Sequence, residues 1–151
     1  MKMKNDAASI YPLTLLYDGA CPVCKLEMRN LASRDRKGEL RFVDVSVPGF
    51  DAARYGLALP DLLKEIHAVQ ANGAVVRGLE VLRLTYSAVG LGWLARPTGW
   101  PLLKPAFDRL YVLFARNRYR VPAGFASVLF RLAARNAVRR THACSDGKCK
   151  L

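Results

Sequence analysis

The sequence has few cysteines, little acidic charge and no long apolar segment. Four cysteines in 151 residues, one pair near each end, are too few and too localised for a small secreted domain held by disulfides. The longest uncharged stretches, such as residues 84–95, are too short for a membrane-spanning helix, which takes about 20 residues. The first six residues are polar, unlike a secretory signal peptide. We therefore expect a cytoplasmic chain with mostly reduced thiols.

Acidic residues are outnumbered two to one, since 24 Lys and Arg face 12 Asp and Glu and give a formal net charge of +12. A charge of this size implies attraction to an acidic partner such as anionic lipid, nucleic acid or an acidic protein. No recognised nucleic-acid motif, internal repeat or low-complexity tract is present, so nucleic acid is the least favoured partner. With 52% hydrophobic residues, the chain can form one domain with a sizeable core.

The chain is organised around residues 15–24, where an apolar strand, a tight turn and the start of a helix bring two thiols together. Free N–H groups and the dipole at a helix N-terminus favour an anion, so we expect Cys21 to be the exposed, attacking thiolate. Cys24 lies one turn further in and is expected to be less exposed and to act as the resolving thiol. Pro22 suits the first helical position, and Gly19 can supply a positive φ for the turn.

Asp18 allows two interpretations. It can accept a proton when Cys24 becomes a nucleophile, or it can shape the turn with its side chain, and the turn interpretation is slightly favoured. A lone Cys-x-x-Cys is also half of many zinc sites. The strand before the motif and the helix after it favour redox chemistry.

The stretch Tyr17-Asp18-Gly19-x-Cys21-x-x-Cys24 resembles the signature of the DCC family of thiol–disulfide oxidoreductases, named for the Asp and the two Cys. The resemblance covers most of the chain and continues through four further segments: residues 41–44, 48–50, 65–67 and 115–119. It implies a thioredoxin-like fold and an oxidoreductase that needs no organic cofactor. We assign catalysis to Cys21, Cys24 and Asp18, and expect substrate contacts at Tyr17, Gly19, Pro22 and His67.

The order of predicted elements over residues 12–89 is β-α-β-α-β-β-α, the order of a thioredoxin-like domain. The predicted strands cover residues 13–17, 40–45, 67–70 and 74–77, and the helices cover 21–34, 51–55, 60–66 and 79–88. Asn72-Gly73 predicts a hairpin because both residues accept positive φ.

The segment before the third strand departs from the thioredoxin pattern. Thioredoxin-like sites usually carry a cis-proline there, facing the thiols, whereas this chain has Glu65-Ile66-His67. Two interpretations of His67 are open: it partly replaces the proline and touches the thiols, or it is a strand-edge histidine with a structural hydrogen bond.

Residues 90–140 form a predicted helical extension of the single domain. A helix over residues 104–118 and a second from about residue 123 each carry an apolar stripe predicted to face the core: Phe107, Leu110 and Phe114 in the first, and Phe125, Val128, Leu129 and Leu132 in the second. The basic face (Arg131, Arg135 and Arg139, with Arg116, Arg118, Arg120 and Arg140) is expected either to be merely solvated or to bind anionic lipid, with Trp93 and Trp100 at the interface. RNA, with Tyr111 or Tyr119 stacking on bases, is the least favoured partner.

The tail, residues 141–151, carries Cys144 and Cys149. It is predicted to be a second dithiol that relays electrons to Cys21, a mobile tail without a role, or part of a zinc or iron–sulfur site with Cys21 and Cys24. The leading hypothesis is a thiol–disulfide oxidoreductase acting on a disulfide-containing protein or a small thiol. The alternatives are a metal-binding module and a basic membrane-surface adaptor, and the oligomeric state stays open.

Overall fold

A four-stranded sheet in the order β2-β1-β3-β4 forms the centre of the fold in a computed structural model, which describes residues 9–122, 124, 125, 127, 128 and 131. The strands are β1 (Leu13–Tyr17), β2 (Leu40–Asp44), β3 (His67–Val69) and β4 (Val75–Arg77). β1 pairs parallel with β2 and antiparallel with β3, which pairs antiparallel with β4. Three leucines of the central strand are fully buried, as its apolar sequence predicts: Leu13, Leu15 and Leu16.

Helices and 3₁₀ turns complete the order predicted from the sequence. They are α1 (Pro22–Arg34), a 3₁₀ turn (Ala52–Tyr55), α2 (Leu59–Leu62) and α3 (Leu79–Ala88). The predicted β-α-β-α-β-β-α order is confirmed, and this mixed α/β arrangement is consistent with a thioredoxin-like fold. α2 is shorter than predicted because the backbone N–H of Ile66 donates to the Tyr111 hydroxyl, 3.3 Å away, instead of continuing the helix.

The sheet separates two apolar clusters. Leu13 and Leu15 pack in the larger cluster with Met28 and Leu31 of α1 and with Val81 of α3. Leu16 belongs to a smaller cluster with Val45, Ala52 and Leu62. Because side chains alternate along a strand, the central strand contributes to both cores.

The predicted hairpin between β3 and β4 forms, but its turn uses one positive φ instead of two. Gly73 has φ +84°, whereas Asn72 does not have a positive φ. The N–H of Gly73 donates to the carbonyl of Gln70 (2.9 Å), and the Asn72 side chain accepts from the N–H of Ala74 (2.8 Å). A left-handed glycine as the last residue of the four-residue turn is typical of a hairpin with a three-residue loop, so only the glycine needs the left-handed region.

Two single turns, α4 (Gly92–Ala95) and a 3₁₀ turn (Arg96–Gly99), lead to α5 (Lys104–Asn117). The prediction of its buried face is wrong. Leu110 is 59% exposed and Phe114 is 41% exposed, while Phe107 is half-buried. The inward side instead carries Tyr111 and Ala115, because the Tyr111 hydroxyl accepts a backbone hydrogen bond before β3 and its ring packs on the larger core.

Arg83 of α3 connects α5 to α3. Its guanidinium pairs with Asp108 of α5 (3.2 Å) and with Glu80 (2.9 Å), and its Nε donates to the Thr98 hydroxyl (3.0 Å). Lys104 adds a second pair to Asp108 at 2.8 Å. The C-terminal end of α5 is thereby directed back toward the sheet.

The chain divides into two compact units, Met1–Tyr119 and Arg120–Leu151, and α3, α4 and α5 all belong to the first. The predicted divisions at residues 89–90 and 140–141 stay predictions. In the second unit Phe125 and Val128 are exposed, contrary to the predicted core-facing stripe. The other predicted residues of this region lie outside the described residues: Leu129, Leu132, Arg135, Arg139, Arg140, Cys144 and Cys149. Within the described part of the chain, no helix has the length and apolar character needed to cross a membrane.

A buried carboxyl group lies on the inward side of α1. Glu27 accepts a hydrogen bond from the Tyr86 hydroxyl at 2.6 Å, and its second oxygen is buried without a partner. Burial raises the pKa of Glu27, although the hydrogen bond from Tyr86 opposes the shift. The protonated form therefore stabilises the fold, and this contribution is lost as pH rises through the raised pKa.

We predict that Glu27→Gln is increasingly favourable for stability, relative to the wild type, as pH rises from 5 to 8. Glutamine keeps an acceptor for Tyr86 but cannot ionise, so it avoids the desolvated charge. Urea unfolding at each pH measures the free energy of unfolding. Tyr86→Phe removes the donor that lowers the pKa of Glu27, so its free energy of unfolding should fall more steeply as pH rises. Parallel curves of the free energy of unfolding against pH for Glu27→Gln and the wild type would contradict the prediction.

Candidate redox site

Cys21 forms the N-cap of α1, with an extended backbone (φ −81°, ψ 116°), and its sulfur accepts the N–H of Cys24 at 3.3 Å. Pro22 occupies the first helical position as predicted, where its missing N–H leaves no hydrogen bond unmade. The sulfur therefore satisfies one of the free N–H groups at the helix start, and the positive end of the helix dipole favours negative charge on it.

The two sulfur atoms are 2.7 Å apart, both are free thiols, and the S–H of Cys24 donates to Cys21. This hydrogen bond is the main cause that lowers the pKa of Cys21 to about 6; burial opposes it, and the Cys24 N–H and the charge of Arg118 assist. The same hydrogen bond, together with burial, raises the pKa of Cys24. The geometry therefore favours a thiolate on Cys21 that shares the proton of Cys24.

The expected order of exposure is reversed. Cys21 is 0% exposed, whereas Cys24 is half-buried. The N-cap sulfur folds back over the first turn of α1 to reach the N–H of Cys24, which takes it out of solvent. In this conformation the sulfur that ionises, that of Cys21, is buried, while the more accessible residue is Cys24.

A glycine is needed at position 19 because a side chain there would clash, and not because of its backbone φ angle. Its φ is not positive, contrary to the expectation from the sequence. A Cβ at this position would lie 1.8 Å from a carboxylate oxygen of Asp44, and the Gly19 N–H donates to the other oxygen at 2.9 Å. Burial alone would raise the pKa of Asp44, but hydrogen bonds from Ser46 and Gly19 lower it. The end of β2 thereby holds the turn that leads to the thiols.

Asp18 is buried and both of its carboxylate oxygens have partners. One oxygen accepts the N–H of Ala20 at 3.0 Å, and the Asp18 carbonyl accepts the N–H of Cys21 at 3.2 Å, which are the bonds of a side-chain-supported turn. The other oxygen accepts from the Arg118 guanidinium at 3.0 Å and from the Tyr119 hydroxyl. The carboxylate thus shapes the turn and also binds the end of α5.

Arg118 lies beside the thiols and is 4% exposed. One guanidinium nitrogen contacts Asp18 and the carbonyl of Leu63, and another is 3.9 Å from the sulfur of Cys24. The guanidinium carbon also lies 5.1 Å from the centre of the Tyr119 ring, within cation–π range. This role was not predicted from the sequence, which placed Arg118 on a solvated or lipid-binding basic face, and its burial contradicts that placement. Base stacking by Tyr119, whose side chain is exposed, stays a prediction.

His67 begins β3 opposite Leu16 and is buried. Its Nδ1 lies 3.0 Å from the carbonyl of Glu65, which is the structural hydrogen bond of one interpretation. Among the described residues, no contact joins His67 to either thiol. The peptide bond before His67 is not cis; the described part of the chain has its cis peptide at Tyr11–Pro12.

An open cleft of about 480 Å³ lies next to the turn that precedes Cys21. Its lining is mostly apolar and includes Ala20, Val47, Phe50 and Leu63, with Asp18 and Tyr119 at the redox site. The four residues expected to contact substrate do not line this cleft: Tyr17, Gly19, Pro22 and His67. Tyr17 packs against the larger core, and Pro22 is exposed beside Cys21.

No group of three or more His, Cys, Asp or Glu side chains comes together as a metal site within the described ranges. A site made by all four cysteines stays a prediction, because Cys144 and Cys149 lie outside those ranges. The proposed second dithiol stays a prediction for the same reason.

The chain is similar to a known protein family and to a plant protein. The family model described as DCC1-like thiol-disulfide oxidoreductase matches residues 15–123. A protein of Arabidopsis thaliana, named as uncharacterized and chloroplastic, is 34% identical over 144 residues, which cover 93% of this chain and 66% of that protein. The chain thus spans slightly less than two thirds of the relative's length. No solved structure gave a significant match.

We predict that the thiolate absorbance near 240 nm of a Cys144→Ser/Cys149→Ser protein rises with a midpoint near pH 6, because Cys21 ionises there. Replacing Cys24 by Ala removes the main donor and should move the midpoint up toward the ordinary cysteine value of about 8.5. Ser at position 24 can still donate a hydrogen bond, so its midpoint should lie between the two. An unchanged midpoint in the Ala variant would show that the sulfur–sulfur hydrogen bond does not set the ionisation.

Proposed function

The chain belongs to the DCC1-like thiol-disulfide oxidoreductase family, and on that basis we propose that it exchanges disulfides through Cys21 and Cys24. The observation that carries the proposal is the hydrogen bond from the S–H of Cys24 to the helix-capping sulfur of Cys21, with the two sulfur atoms 2.7 Å apart. Lowering the pKa of Cys21 to about 6 makes it mostly thiolate at neutral pH, and the thiolate is the nucleophile of disulfide exchange.

The reaction has two steps that balance in electrons and protons. The Cys21 thiolate attacks one sulfur of a substrate disulfide, forms a mixed disulfide and releases the first substrate thiolate. Cys24 then loses its proton and attacks the Cys21 sulfur, which closes the protein disulfide and releases the second thiolate. Two electrons pass from the dithiol to the substrate, and the proton of Cys24 ends on a departing thiolate. The reverse sequence would form a disulfide in the substrate.

Attack by Cys21 requires local opening, because this sulfur is sealed from solvent. We propose that substrate approaches from the adjacent cleft, whose lining includes Ala20, next to Cys21. Both a disulfide-containing protein and a small-thiol disulfide are proposed as substrates. Pro22, exposed beside Cys21, supports the proposed substrate contacts, whereas Tyr17, Gly19 and His67 stay predictions.

We predict that Cys24→Ser traps Cys21 as a mixed disulfide with cellular thiols under oxidising load, since the resolving thiol is gone. The matched Cys21→Ser variant should trap far less, because Cys24 lies inside the helix instead of at its N-cap, and burial still opposes its ionisation. Mass spectrometry of both variants in a Cys144→Ser/Cys149→Ser background measures the adducts. A free thiol at Cys21 would contradict the exchange reaction, and trapping by Cys24 alone would reverse the assigned roles.

The exposed apolar side of α5 supports a second candidate function, peripheral contact with an anionic membrane. Leu110 and Leu113 are each 59% exposed, Trp100, just before the helix, is 67% exposed, and Arg109 and Arg116 of the helix are exposed. Apolar and aromatic side chains near basic residues are typical of a helix that lies on anionic lipid. We propose that the protein lies in the cytoplasm, in part at a membrane surface. The word chloroplastic is part of the plant relative's name.

We predict that the protein floats with anionic vesicles and that reversing Arg131, Arg135 and Arg139 to Glu abolishes flotation. The matched control reverses three exposed basic residues elsewhere, Arg36, Lys37 and Arg54, and should float like the wild type. Equal loss in both triple variants would show that only net charge attracts the protein, which would contradict a specific membrane face.

A further inference from the structure

We propose that Arg118 stabilises the thiolate of Cys24 during the resolving step, and that Asp18 is the positioning residue that holds Arg118 in place. The inference rests on the proposed exchange reaction. It gives a further function to a buried cation whose charge also helps to lower the pKa of Cys21.

The geometry aims one guanidinium nitrogen at the resolving sulfur. The contact distance from Arg118 to the Cys24 sulfur is 3.9 Å, while a second nitrogen is held by Asp18 at 3.0 Å and by the carbonyl of Leu63. Two acceptors on one side fix the plane of the guanidinium and its approach to the thiol. Within the described residues, no other Lys, Arg or His side chain makes a hydrogen bond to either sulfur of the pair.

Fold stability alone does not require a buried cation at this position. Removing two charges from water is unfavourable, and a buried ion pair can often be replaced by apolar residues without loss of stability. The Nε of Arg118 is buried without a partner, which adds to the unfavourable desolvation. A cation beside the dithiol is explained by the negative charge that the reaction creates on a sulfur atom there.

The reaction creates that charge on Cys24. In the resting pair the negative charge lies on Cys21, and Cys24 donates its S–H to it. Once Cys21 is in a mixed disulfide, its sulfur carries no charge, and Cys24 must ionise without that neighbour as acceptor. An opposite charge within about 4–6 Å favours the ionised form, and Arg118 cannot lose its own proton.

Asp18 contributes by holding Arg118 and not as the proton acceptor. Its two oxygens are taken by the Ala20 N–H on one side and by Arg118 and Tyr119 on the other. Its own negative charge raises the pKa of Cys24, whereas the charge of Arg118 lowers it. Asp18 therefore helps the thiolate only through the cation that it positions.

The test separates the two chemical steps with 5,5′-dithiobis(2-nitrobenzoate) as the substrate disulfide, in a Cys144→Ser/Cys149→Ser background. Attack by Cys21 releases one thionitrobenzoate in a phase that depends on reagent concentration. Attack by Cys24 releases the second in a concentration-independent phase. Loss of a nearby cation raises a thiol pKa by about 1–3 units, and weaker acids make better nucleophiles with a Brønsted slope of about 0.5, so Arg118→Gln should slow the second phase about 3- to 30-fold.

The pH profile distinguishes this electrostatic role from a structural one. The midpoint of the second phase should shift upward in Arg118→Gln, whereas Arg116→Gln, which removes an exposed cation two residues earlier in the chain, should leave both the rate and the midpoint unchanged. If Arg118→Gln does not fold, Arg118→Lys replaces it: an ammonium cannot span Asp18, Leu63 and Cys24 together, so its second phase should also be slower, with a midpoint shifted upward.

An unshifted profile and a normal second phase in the folded Arg118 variant would overturn the proposal while leaving the exchange reaction intact. Absence of any concentration-independent second phase in the parent protein would instead overturn both, because resolution by Cys24 would not occur. Circular dichroism of each variant confirms that the fold is retained before its rates are compared.

Discussion

The buried ion pair between Asp18 and Arg118 connects two segments that are 100 residues apart in the chain. Asp18 follows the central strand and shapes the turn that presents the dithiol, and Arg118 follows the last helix of the same compact unit. Each charge is nearly sealed from water, so removing either would leave the other uncompensated, at a destabilisation of about 3–5 kcal/mol. The turn, the thiols and the end of α5 therefore depend on one another.

The same pair accounts for the orientation of α5. An amphipathic helix normally turns its apolar side inward, yet Leu110 and Leu113 of α5 are exposed. The side of α5 that faces the rest of the first unit instead makes polar contacts. These are made by Asp108, Tyr111 and, just after the helix, Arg118. Three specific polar anchors thus determine the orientation of this helix, whereas apolar burial determines that of α1.

Local rules predict much of this fold from the sequence. The apolar run of β1, the proline after Cys21 and the Asn-Gly turn each act within a few residues, and the elements they predict are present. The exposure of Cys21 and the role of Arg118 could not be predicted in this way. The first depends on a rotation of the capping sulfur, and the second on a partner 100 residues away among 24 basic residues that share the same sequence character. The sequence shows only that Asp18 directly follows an apolar strand, and a carboxylate that becomes buried there needs a charged partner.

Ionisation and access are separate properties of this dithiol. The sulfur of Cys21 is ionised by contacts that exist only while it is folded against the first turn of α1, and those contacts also hide it. A small reagent that reacts with Cys21 therefore reports the opening of the site as well as the thiolate population, whereas absorbance reports the thiolate alone. Comparing the two on the same protein measures the equilibrium between closed and open site. A fully exposed thiolate would gain access but lose the buried neighbours that ionise it, so reactivity in such a site depends on a brief opening and not on permanent exposure.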